Sequence, residues 1–135
     1  MATFEAHGSP AVEIQKHLLV LDVQHPINEE GMQLLLRRVT NAAVGFEGGK
    51  WNVLALVSGE VLLTPEAERL LRNKLPALIS SGHEAIAVVI NDQSVRWSLE
   101  RQLQRIHSQS ASPVRAFESE ADARGWLSQL GRGSS

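Results

Sequence analysis

Apolar positions change their spacing along this chain in an ordered way. Val12-Glu13-Ile14-Gln15 alternates, whereas Leu18-Leu19-Val20-Leu21-Asp22-Val23 is almost wholly apolar. Alternation marks a strand covered on one face, and an unbroken run marks a strand covered on both. The two predict a hairpin turning at Lys16-His17, a pair that is a poor turn signature. From Asn28 the period lengthens: Met32, Leu35, Leu36 and Val39 share one helical face, with Arg37 and Arg38 turned away. Asn28 offers a side-chain oxygen to the free amides of a first turn. Ile27 and Met32 are placed for a hydrophobic staple, and Glu29 and Glu30 suit the positive end of the helix dipole. Phe46 to Lys50, with two glycines, closes this helix.

The same alternation of short apolar runs and helical stripes continues. Val53 to Val57 reads as a buried strand, followed by a turn at Ser58-Gly59. Thr64-Pro65 then starts a helix with a hydroxyl cap and a proline at the first position, where its missing amide costs nothing. Leu70, Leu71, Leu75, Leu78 and Ile79 supply its apolar face, and Pro76 inside the run predicts a kink or a split. Ser81-Gly82-His83 stops it ahead of a strand from Ala85 to Ile90. Asp92 or Ser94 caps a third helix with Val95, Leu99, Leu103 and Ile106 inward. After a polar loop at Ser108 to Pro113, Val114 to Phe117 is a short last strand. Ser119 and Asp122 resemble a capping box before Ala123, Trp126, Leu127 and Leu130. The predicted order is ββαβαβαβα, an α/β domain over residues 11–130 with loose ends at 1–10 and 131–135.

Composition narrows the chemistry. A chain of 135 residues with 43% hydrophobic residues holds one domain with a real core. Cysteine is absent, which excludes disulfides, thiol catalysis and thiolate-bound metals. A net charge of −2 provides no global field for nucleic acid, and no apolar run is long enough to span a bilayer. The expected location is cytoplasmic, and no cofactor is expected.

This order, with three local segments, resembles the STAS and SpoIIAA-like superfamily, best known from anti-sigma factor antagonists. The segments are Leu54 to Val61, like the family's central strand and following turn; His83 to Ile90, like its next core strand; and Val114 to Leu127, like its closing strand and helix. The resemblance implies four or five mostly parallel or mixed strands with helices mainly on one side. It also implies regulation by docking. In partner-switching members a kinase phosphorylates a serine or threonine in an Asp-Ser-Ser-Gly-like turn after the central strand. The matching place here holds Leu63-Thr64-Pro65-Glu66, where Thr64 alone carries a hydroxyl and the family's acidic residue and glycine are missing. A related branch resembles lipid-transfer domains with an apolar pocket between helices and sheet.

Candidate functional positions fall into two groups. Ser58, Thr64 and Glu66 lie on the turn and helix start at 58–66, where a phosphate or partner would face free amides. Arg96, Trp97, Arg101 and Arg105 form a second patch on the third helix, with Arg101 and Arg105 four apart on one face and Trp97 off the centre of the apolar stripe. His25 and His83 are expected to approach one sheet end, without a third ligand for a metal. Asp22 with His25 is a weaker acid–base candidate. The function expected from these features is a non-catalytic regulatory or interaction module that docks a protein partner through 58–66, with self-association through a sheet edge or helix face. The alternative is a carrier or sensor of a small apolar, lipid-like ligand.

Overall fold

In the computed structural model, residues 11–59, 61–108, 110 and 112–133 are described. The expected loose ends at 1–10 and 134–135 lie outside them. Five strands and four helices follow the order β1 (Ala11–Gln15), β2 (Leu18–Val23), α1 (Glu29–Val44), β3 (Trp51–Val57), α2 (Pro65–Ser80), β4 (His83–Ile90), α3 (Gln93–Ile106), β5 (Val114–Phe117) and α4 (Glu120–Gly133). The sheet order is β1-β2-β3-β4-β5. β1 and β2 are antiparallel, and β2 through β5 are parallel. The weak turn pair does form the hairpin: Lys16 takes a φ of 58°, a left-handed conformation that costs a non-glycine residue about 1 kcal/mol.

The helices divide unequally between the two faces. Leu19, Leu21, Val23, Val53, Ala55, Val57, Val88 and Ile90 project toward α1, α2 and α3 and build the larger core with Met32, Leu35, Val39, Leu78, Leu99 and Leu103. Val20, Leu54, Ala85 and Ala87 project the other way, against Ala123 and Leu127 of α4. β2, β3 and β4 are therefore apolar on both faces because both faces carry helices. Leu21, Leu56 and Val88 share one sheet, but Leu56 sits only partly buried on the α4 side.

Two expectations of local structure change. Pro76 does not split its helix, since α2 runs unbroken through Ser80. Proline removes one backbone bond, and Pro76 stands on the exposed face, where water can solvate the carbonyl it frees, while Leu75 and Leu78 stay buried. Trp126 is half-buried at the rim of the smaller core instead of at its centre, with its ring 5.6 Å from Phe117. α4 also continues to Gly133, past the expected start of the tail.

Candidate functional site

Parallel strands place all strand-to-helix loops at one end of the sheet and all helix-to-strand loops at the other. The carboxyl end carries the 58–66 segment. Ser58 N–H donates to Val23 O at 3.0 Å, Ile27 N–H to Leu62 O at 3.1 Å, and Thr64 N–H to Ile27 O at 3.0 Å. These bonds tie the segment to the loop before α1, and the Gln102 side-chain amide holds it from the other side. Leu63 N–H donates to Gln102 Oε1 at 3.1 Å, while Gln102 Nε2 donates to Leu63 O at 2.9 Å. Val61 and Leu63 are buried beneath, and Leu62 between them is 46% exposed.

A cavity of about 100 Å³ lies between the sheet and α1, α2 and α3. The 58–66 segment contributes Val61 and Leu63 to its wall, the central strands contribute Val53, Ala55, Val57 and Val88, and the helices contribute Leu35, Leu71 and Leu99. His83 and His107 are its two imidazole-bearing wall residues. Close packing normally leaves few voids larger than a water molecule, which occupies about 10–15 Å³ on this measure.

Rings close the amino end of the sheet. His17, Phe46, Trp51 and His83 stand in a row with successive centroid separations of 6.4, 5.6 and 5.0 Å. Trp51 Nε1 donates to Ser81 O at 3.1 Å. His83 is 5% exposed, and its Nε2 lies 3.2 Å from Ser112 Oγ. His107 Nδ1 lies 2.8 Å from Leu103 O. A carbonyl only accepts, so the neutral His107 ring carries its proton on Nδ1. Burial, with some help from His107, pushes the His83 pKa down to about 4, and burial also lowers His107. Both imidazoles are uncharged near neutral pH.

No family model matches this sequence, and no curated protein matches it. Among solved structures, it is similar to an uncharacterised protein of the DUF3478 family from Shewanella loihica PV-4, whose crystal structure is described as having a SpoIIAA-like fold. The TM-score is 0.58 at 17% identity, over 88% of this chain and 92% of that one. The fold is SpoIIAA-like. Helices mainly on one side of a mixed five-stranded sheet are what the resemblance implied.

Within this SpoIIAA-like domain the expected site residues are placed unevenly. Ser58 and Glu66 are exposed on the 58–66 segment. The Thr64 hydroxyl is occupied as a helix cap, accepting from Ala67 N–H at 3.2 Å. Thr64→Ala should therefore cost about 1 kcal/mol, seen as a lower urea midpoint with an unchanged slope, and Thr64→Ser should recover most of it. Arg96 is turned inward, Nη1 donating to Ile90 O at 2.8 Å at the end of β4. Arg105 makes a two-point contact at 2.8 and 3.2 Å with Glu68 of α2, two residues beyond the 58–66 segment. Hydrogen bonding from Arg105, aided by Gln102 and Arg72, holds the Glu68 carboxyl down to about 2. Of the two arginines four apart on α3, Arg105 is paired with Glu68 and Arg101 lies over the Trp97 ring at 4.8 Å. Trp97 is 61% exposed.

The expected meeting of His25 and His83 does not occur. His25 follows the carboxyl end of β2 and His83 opens β4, so parallel pairing puts them at opposite ends. Asp22 is exposed, near Gln24. No group of three side chains suited to hold a metal ion, and no helix long and apolar enough to cross a membrane, occurs among the described residues. Sequence reasoning missed Gln102, Glu68, His107 and Ser112. Gln102 had a visible signal, a polar residue within the stripe of Val95, Leu99 and Ile106; Ser112 had none.

Proposed function

We propose that this domain is a non-catalytic binding module for a small apolar ligand held between the sheet and α1 to α3. The cavity carries this reading. Its volume is several times that of one water, and apolar walls of this kind stay dry and accept apolar guests. The wide separation of Asp22 and His25 from His83 is in keeping with binding rather than acid–base chemistry.

Docking of a protein partner through 58–66 is the second reading, and one observation favours it. Leu62 faces solvent while its neighbours Val61 and Leu63 line the cavity. Occupancy inside would then be felt on the surface that Ser58, Leu62 and Glu66 present, which makes the module a sensor.

Titration with benzene, followed by amide NMR, tests both. Benzene is expected to bind saturably with shifts centred on Val53 to Val57, and to slow hydrogen exchange at residues 61–64. Ala55→Leu fills the cavity from the central strand and should abolish binding while leaving the thermal midpoint equal or higher. Absence of saturable binding to the parent protein removes the ligand reading. Binding without any change in exchange at 61–64 removes the sensor reading alone.

A further inference from the structure

The cavity is apolar along most of its wall but not at its amino end. His83 enters from the first residue of β4 and His107 from the residue that caps α3. His83 is all but fully buried, and its Nδ1 has no hydrogen-bond partner among the described residues. A buried polar atom left unmatched is costly, and a protein retains such an atom where something else satisfies it. The rest of the ring is fixed: Nε2 is engaged with Ser112 Oγ, and one face lies against Trp51 at 5.0 Å between centroids. An imidazole held on two sides, with its third group unmatched, is oriented to make one more bond.

We propose that His83 Nδ1 is the polar anchor of the cavity, and that the ligand is a small, uncharged, mainly apolar molecule bearing one hydroxyl group. This rests on the cavity-binding reading above and names the chemistry of the ligand. The hydroxyl follows from the tautomers. When Ser112 donates to Nε2, Nδ1 carries the proton and requires an acceptor; when Nε2 donates to Ser112, Nδ1 is a lone pair and requires a donor. A hydroxyl meets either case, whereas a carbonyl or an amine hydrogen meets one. A charged head is disfavoured because the apolar walls supply no counter-charge and the imidazole itself stays neutral at pH 7.

Phenol and toluene differ by one hydroxyl at nearly constant shape, so their competition isolates the anchor. At pH 7 the parent protein is expected to bind phenol on the order of tenfold more tightly than toluene, by calorimetric titration, as one added hydrogen bond predicts. The ¹⁵N resonance of His83 Nδ1 should move with phenol and stay in place with toluene, a readout that requires no substitution. In His83→Phe the order should reverse, toluene binding more tightly. Equal affinities in the parent protein, or a stationary His83 resonance under saturating phenol, would mean that an ordered water alone satisfies Nδ1, and the anchor would be wrong while the cavity still binds. If neither compound binds, the cavity reading itself fails and takes the anchor with it.

Discussion

Gly82→Ala is expected to destabilise the domain by about 4 kcal/mol, combining a left-handed backbone cost with an overlap that cannot relax cheaply. Gly82 joins α2 to β4 at a φ of 117°, and a Cβ built there would stand 2.3 Å from Gly49 O and 3.1 Å from Trp51 Cδ1. The obstacle is backbone on one side and a buried ring on the other. Moving either disturbs the bonds that close this end of the sheet, Trp51 N–H to Gly82 O at 2.9 Å and Trp51 Nε1 to Ser81 O. Gly48 supplies the control, since it has a φ of 81° and a Cβ added there would meet nothing within 4 Å. Gly48→Ala carries the conformational cost without the overlap, about 1 kcal/mol. Urea unfolding of both variants decides the matter: equal losses would show that the close approach to Gly49 is not what demands glycine at 82.

The second large effect is acid sensitivity centred on His83. The unfolded imidazole takes up a proton near pH 6.5, and the folded one resists until about pH 4. Between those values the unfolded chain binds more protons, so unfolding free energy rises with pH across the window. The contribution is fully present above about pH 6.5, declines as pH falls toward 4, and is flat below, amounting to about 3 kcal/mol. One titratable neighbour bears on it, His107, which burial shifts in the same direction. Glu68 acts in a different range, because its depressed carboxyl contributes above pH 4.5 and is lost only as pH falls toward 2. Urea unfolding at intervals from pH 7 to 4 should show the decline in the parent protein and a much shallower one in His83→Gln. An identical slope in both would exclude His83 as the source.

Self-association through a sheet edge meets an obstacle at β5. Glu100 of α3 accepts from Ala116 N–H at 2.9 Å, which occupies an edge amide that a second strand would use. The Glu100 carboxylate reaches out of α3 to the strand that follows.

Much of the fold was legible in the residues because local chemistry and hydrophobic spacing agreed. Asn28 accepts from Gly31 N–H at 2.9 Å, Thr64 caps α2 ahead of Pro65, and Asp92 accepts from both Ser94 and Val95. Each cap stands at the boundary where the apolar period changes, so two independent signals marked one place. The site was less legible because its members are far apart in the chain. Gln102 and Leu63 are 39 residues apart, and His83 and Ser112 are 29 apart. No local pattern encodes the distance between them. Arg105 looked like free surface charge for the same reason: the carboxylate of Glu68 becomes its partner only after α3 has packed against α2.

The chain alone therefore determined the order of elements, the caps that start the helices and the apolar faces they bury, since these depend on neighbours within one or two turns. Tertiary packing decided the rest. It set His25 and His83 at opposite ends of a parallel sheet, paired the arginines, and left a void beside an unmatched imidazole, because strand direction and the fit of three helices over one face are properties of the assembled layers.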